Sequence, residues 1–196
     1  MRRILFMGLD AALAAVFLVP LFLFLNKRYY HSRKKTCFYL LLAAYLSGVY
    51  AVVGLPTVNY VRFDPNLNLI PFRYMFSDFT NSFLNVLLFL PLGAALPLFW
   101  KRYRAFSHTV LFGFAVSLLI ELLQIFTFRA TDVNDLITNT TGTTVGWCLA
   151  RMITRRVPKA AQDWEHRELY GVCTAAFSVM FFLQPFLEKM IIPFLF

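Results

Sequence analysis

The stretch 81–100, NSFLNVLLFLPLGAALPLFW, decides the fold. It carries no charge and is about as long as the 20 or so apolar residues a helix needs to cross a hydrocarbon core. Five further segments of similar length lie near 5–25, 36–55, 107–128, 133–153 and 169–187. The whole chain has 196 residues, is 59% hydrophobic and holds 23 Phe, more than one soluble core of this size would hide. The expected class is all-α: a polytopic transmembrane bundle of about six helices, with residues 1–196 forming a single membrane domain. Arg2 and Arg3 precede the first apolar run in the manner of a signal peptide. No small-residue cleavage site follows, so the run reads as a retained helix.

Working outward, the connections set the orientation. Thirteen of the nineteen basic residues fall in 26–35, 101–106 and 151–168: Lys27, Arg28, Arg33, Lys34, Lys35; Lys101, Arg102, Arg104; Arg151, Arg155, Arg156, Lys159 and Arg167. The other side has Arg2, Arg3, Arg62, Arg73, Arg129 and Lys189. An excess of Lys and Arg marks cytoplasmic loops, which puts the first set inside and both termini outside. The net charge of +9 thus belongs beside anionic lipid, and the lipid bilayer, not nucleic acid, is the expected partner. His31, His108 and His166 fall on the inner side, away from any outer site. Cys37, Cys148 and Cys173 lack CxxC spacing and read as small apolar residues, not a disulfide framework or metal site. No cofactor or metal is called for. The longest connection, 56–80, is external, and its many apolar residues suggest that it folds onto the membrane mouth.

An ionisable group at membrane depth is costly unless it is paired or faces water, so it is a functional candidate by default. Ser117, Glu121, Gln124 and Phe128 share one face of the fourth helix by their spacing, and Asp135, Asn139, Gly142 and Gly146 share one face of the fifth. Asp78, Asn81 and Asn85 align on or just before the third. Taking the fourth helix to end at Phe128 puts Glu121 roughly 10 Å deep. Three such stripes facing one another would form an outward-open pocket of Asn81, Asn85, Ser117, Glu121, Gln124, Arg129, Asp132, Asp135 and Asn139. Asp132 suits a helix cap, Arg129 can close the fourth helix or pair with an acid, and Glu121 in mid-helix needs a partner, Arg129 or a buried amide. Gly142 and Gly146 give a small-xxx-small packing face. Pro91 and Pro97 predict a kink near Leu87 and Gly93.

The order and spacing of Asn68-Leu-Ile-Pro-Phe72, Asn85-Val-Leu-Leu-Phe89-Leu-Pro91-Leu-Gly93, Ser117-Leu-Leu-Ile120-Glu121-Leu-Leu-Gln124, Arg129-Ala-Thr-Asp132-Val-Asn-Asp135 and Asn139-Thr-Thr-Gly142 resemble the VanZ-like family of bacterial integral membrane proteins. The resemblance covers about residues 66–150, with Gly93, Gly142 and Gly146 inside it. It implies a multi-pass protein of the bacterial cell membrane with a role in resistance to lipoglycopeptides of the teicoplanin type. An outer pocket is on the side where a lipid-linked cell-wall precursor, a lipid head group or the antibiotic would be met. Two functional classes stay open. One is a non-catalytic protein that limits antibiotic access. The other is a membrane enzyme on a lipid-linked substrate, with Glu121, Asp132 and Asp135 as acid–base groups or oxygen ligands for Mg²⁺ or Ca²⁺ and Arg129 on phosphate. Against catalysis stand the missing nucleophile motif, phosphate loop and HExxH. A proton-coupled carrier would need a path through inner helix halves that look dry, and the oligomeric state is open.

Overall fold

The computed structural model describes residues 2–73, 75 and 77–195, and the side chains of those between Ala12 and Met190. The side chains of Arg2, Arg3 and Asp10 lie outside the described residues. In lipid every backbone polar group must be satisfied within its own segment, and the chain accordingly folds into long helices. These are α1 (Arg2–Leu25), α2 (Arg33–Val53), α3 (Phe79–Phe99), α4 (Phe106–Gln124), α5 (Val133–Arg156), α6 (His166–Ser178) and α7 (Gln184–Leu195), with α6 and α7 joined by a π-helical turn. Two-residue strands β1 (Leu67–Asn68) and β2 (Thr131–Asp132) are the only sheet among the described residues. Five helical stretches there are long and apolar enough to cross a membrane: Ala12–Tyr30, Arg33–Val53, Phe79–Phe99, Phe106–Gln124 and His166–Met190. The sixth expected span, α5, has the length but is too polar to join them.

The chain packs as two compact units. The first comprises residues 1–62 and 167–196. Ser32 caps the start of α2, and Gly54, at φ 67°, ends it with its N–H on the Tyr50 carbonyl, a left-handed conformation glycine adopts without strain. Lys35 Nζ meets Glu168 Oε1 at 2.8 Å, and Tyr39 donates its hydroxyl to the same carboxylate, tying α2 to α6. Leu13, Leu18, Phe22, Tyr39, Leu42, Leu169 and Val172 are buried here.

The second unit, residues 63–166, holds α3, α4, α5 and both strands. Helices α3 and α5 run parallel, with their backbones in close approach. A Cβ on Gly142 would lie 2.2 Å from the Val86 carbonyl oxygen, and one on Gly146 2.3 Å from that of Leu90. Gly93 abuts the Thr143 backbone in the same seam. Without a hydrophobic driving force between helices in lipid, such small-residue contacts are what hold them. Helix α4 runs antiparallel to α5, so Gly113 meets Thr143 and Ser117 meets Asn139. Despite Pro91 and Pro97, α3 is one unbroken helix from Phe79 to Phe99. Past α5 the chain turns back along the far end of α3, where the Gln162 N–H donates to Leu98 at 2.7 Å and the Trp164 N–H to Phe99 at 3.0 Å.

The fourth helix corrects one expectation, for it stops at Gln124 and not Phe128. The reason is local. Thr127 donates both its N–H (2.9 Å) and its hydroxyl (3.0 Å) to the Gln124 carbonyl, closing the last turn. Glu121 is therefore three residues from the helix end, about 4–5 Å along the axis and not 10 Å.

Candidate functional site

The site is built where a loop returns to the helix ends. Residues 67–68 pair in parallel with 131–132, Leu67 opposite Thr131 and Asn68 opposite Asp132. The Thr131 N–H donates to Asn66 O at 2.9 Å, and Asn68 Nδ2 donates to Asp132 Oδ2 at 3.0 Å. The other oxygen of Asp132 caps α5, accepting the Asn134 N–H at 2.8 Å. Asn134 clamps the loop like a free peptide group: its Oδ1 accepts the Phe72 N–H at 2.6 Å and its Nδ2 donates to Arg73 O at 2.7 Å. Phe72 sits at φ 62°, a strained region for a side chain of that bulk, and this paired clamp holds it there.

Glu121 serves the same construction. Only 4% exposed, it accepts the Asp132 N–H on Oε2 at 2.8 Å, while its carbonyl accepts the Thr131 hydroxyl at 3.0 Å. This bond stands in place of an ion pair with Arg129. Arg129 is half-buried and makes no ion pair with an acid among the described residues. It lies within Coulombic reach of both Glu121 and Asp135.

Around the two helix starts lies a polar cavity of about 60 Å³ lined by Arg73, Met75, Asp78, Asn81, Ser82, Asp132, Asn134 and Asp135. Asp78 caps α3 by accepting the Asn81 N–H at 3.3 Å, so two parallel helices begin beside the cavity, each with an aspartate at its cap. The Asp78 and Asp132 charges both act on Asp135. Asp135 also faces Asn85 across the α3–α5 seam, although Asn85 Nδ2 is buried without a partner of hydrogen-bonding geometry.

Of the residues singled out in the sequence, the cavity gathers Asp78, Asn81, Asp132 and Asp135. Asn85 lies beside it through Asp135. Ser117, Glu121, Gln124 and Asn139 line the buried α4–α5 interface instead, where Asn139 Nδ2 donates to Ser117 Oγ at 3.0 Å and Asn139 Oδ1 has no partner. Sequence spacing did not bring out Arg73, Ser82 or the clamping role of Asn134. The clue to Asn134 was its place two residues after a capping aspartate; Arg73 gave none beyond being a charge in an apolar loop. No histidine lines the cavity. A larger groove of about 290 Å³ in the first unit is apolar, lined by Leu18, Cys37, Leu40 and their neighbours.

The family model for VanZ/LLP1 matches residues 36–154. The chain belongs to the VanZ/LLP1 family. The match reaches back to Thr36 and takes in α2, which the resemblance over 66–150 left out. The chain is also similar to Protein VanZ of Enterococcus faecium, 38% identical over 82 residues, which is 41% of this chain and 50% of that protein. It thus spans about half the length of the curated relative it matches. No solved structure matches it. The polar cavity and its clamp lie wholly inside the segment the VanZ/LLP1 family shares.

Proposed function

We propose that this VanZ/LLP1 protein lowers susceptibility to teicoplanin-type lipoglycopeptides in the bacterial cell membrane by engaging a cell-envelope component in its polar cavity. The observation that carries this reading is a charged cavity at the opposite end of the second unit from its cluster of basic residues. Lys101, Arg102, Arg104, Arg155 and Arg156 stand at the other ends of α3, α4 and α5, about 30 Å away along a helix of 21 residues. With those residues cytoplasmic, the cavity opens outside, where cell-wall precursors and lipoglycopeptides meet the membrane. Family membership supports the same role. The role asked of the site is binding. Glu121 already has its carboxylate engaged by a backbone N–H in a 4%-exposed position, which favours a scaffolding part over an acid–base one.

The test is susceptibility of a Gram-positive host to teicoplanin and vancomycin, with the intact protein and with Asp135→Asn at matched membrane levels. Protection against teicoplanin by the intact protein and its loss in the variant is the expected result. Equal protection by both removes the cavity from the function, and no protection by either removes the resistance role.

A further inference from the structure

The rim of the cavity has a different character from its lining. On the loop and α3 the residues that lend it polar groups have exposed aromatic neighbours: Phe72 before Arg73, Phe79 after Asp78 and Phe83 after Ser82. Phe79 and Phe83 stack with centroids 6.1 Å apart and are 65% and 50% exposed. On the returning loop Leu69 and Ile70 are exposed as well. The loop does not withdraw them, because Asn66, Asn68 and both arms of Asn134 tie it to β2 and α5. Exposed apolar side chains fixed beside a polar cavity mark an interaction surface. At the end of membrane-crossing helices, the medium that meets such a surface is the boundary between lipid head groups and acyl chains.

The lining then selects the head group. Three carboxylates, Asp78, Asp132 and Asp135, face one guanidinium, Arg73, and Asn81, Ser82 and Asn134 add neutral oxygens. The cavity is small and open on one side, so charge and hydrogen bonding at its lining decide what it holds. A primary ammonium fits and brings three N–H donors to a site rich in acceptors. A trimethylated ammonium is larger and brings none. Arg73 supplies the charge that an adjoining lipid phosphate needs.

We propose that the cavity binds the primary ammonium of a membrane lipid head group, with the lipid phosphate at Arg73 and the acyl chains along the edge formed by Leu69, Ile70, Phe79 and Phe83. The proposal rests on reading the cavity as a ligand site and gives the chemistry of its ligand.

The protein is placed in lipid nanodiscs with trace spin-labelled phosphatidylethanolamine or phosphatidylcholine, and the motionally restricted fraction of each is measured. Retention of the ethanolamine lipid on the order of tenfold stronger than the choline lipid is expected, the size of one or two hydrogen bonds to charged groups. Asp135→Asn and Asp78→Asn are expected to bring the ratio near one. The second keeps its cap, because Asn caps helices as well as Asp. Glycerophosphoethanolamine, the same head without chains, is expected to compete far more weakly than the lipid. Equal retention of the two lipids by the intact protein overturns the ammonium assignment. Undiminished selectivity in both variants overturns the site, and equal competition by the chainless head overturns the lipid source. Loss of teicoplanin protection in Asp135→Asn without lipid selectivity in the intact protein would leave the cavity its function and remove this ligand from it.

Discussion

Replacing Gly146 with alanine tests the seam on which the site is built. The new Cβ would meet Leu90 O at 2.3 Å, Ala94 N at 2.7 Å and Gly93 C at 2.8 Å, all of them backbone atoms of α3 that no rotamer change can move. Restoring ordinary contact requires the two helices to part by about 1 Å, and a gap of that size forfeits a quarter to a half of the dispersion attraction it opens. Overpacking of this kind costs about 1–3 kcal/mol, and alanine's better helix propensity returns somewhat under 1 kcal/mol. A net loss of about 1 kcal/mol corresponds to a fall in melting temperature of roughly 2–4 °C for a chain of this size. The assay is thermal unfolding of the purified protein in one detergent, followed by circular dichroism. Gly171→Ala is the control: it also sits inside a helix, but a Cβ there meets nothing within 4 Å, so its expected effect is nil or a slight rise. A Gly146→Ala protein that melts in step with Gly171→Ala refutes the close-packed seam.

Two further outcomes follow from the hydrogen bonds and one from the place of Cys148 along α5. Asn134→Ala removes both ties to residues 72 and 73 and is expected to destabilise the loop by about 2–3 kcal/mol, read as faster amide hydrogen exchange at residues 67–73 with α3 unaffected. Glu121→Ala leaves the Asp132 N–H and the carboxylate's side of the interface unfilled and is expected to cost about 2–4 kcal/mol, whereas Glu121→Gln keeps an acceptor and stays within about 1 kcal/mol of the parent; equal melting of the two variants would show that the Asp132 bond carries no weight. Cys148, exposed and eight residues before the end of α5 at Arg156, lies about 12 Å from that helix end, so in a Cys37→Ser/Cys173→Ser background it is expected to resist a membrane-impermeant maleimide until detergent is added; rapid labelling in intact membranes would mean that α5 does not cross the bilayer.

The helices were legible in the sequence because the signal for a span is local. Each apolar run needs only its own composition to declare itself, and α3 needed nothing beyond its uncharged twenty residues. Gly142 and Gly146 were equally legible as packing residues, since their four-residue spacing is itself the geometry of a helix face. The partners of the polar groups were not legible, because they come from far along the chain. Glu121 was expected to need Arg129 or a buried amide, and its partner is the backbone N–H of Asp132, a bond that exists only because Thr127 ends α4 early and lets β2 fold back. Asn134 reaches residues 72 and 73 across a separation of about sixty residues, and no periodicity encodes such a return. The three polar stripes were drawn from helical spacing alone. Spacing shows which residues share a face but not which neighbour that face meets, so Ser117 and Asn139 are turned toward each other in the interior while Asn81 and Asp135 line the cavity.

The polarity of α5 looks like an obstacle to spanning a membrane, and its hydrogen bonds show how the helix disposes of it. Thr138, Thr140, Thr141, Thr143 and Thr144 each donate their hydroxyl to the carbonyl four residues earlier, at 2.7 to 3.1 Å. Those groups are satisfied within the helix and ask nothing of lipid or of a partner. The exposed residues of α5 are Thr141, Val145, Cys148, Leu149, Met152 and Ile153, with the arginines Arg151, Arg155 and Arg156 exposed in its last two turns. Asn134, Thr138, Asn139 and Thr143 are turned inward. A sum over composition counts every threonine as a cost, whereas the structure removes that cost residue by residue and leaves Val145, Cys148 and Leu149 exposed in the middle of the helix. What α5 does not satisfy by itself is concentrated at its first turn, where Asp132, Asn134 and Asp135 have only the loop, the cavity and the start of α3 to meet. The same helix therefore satisfies its threonines within itself and keeps its carboxylates and amides for the cavity at its first turn.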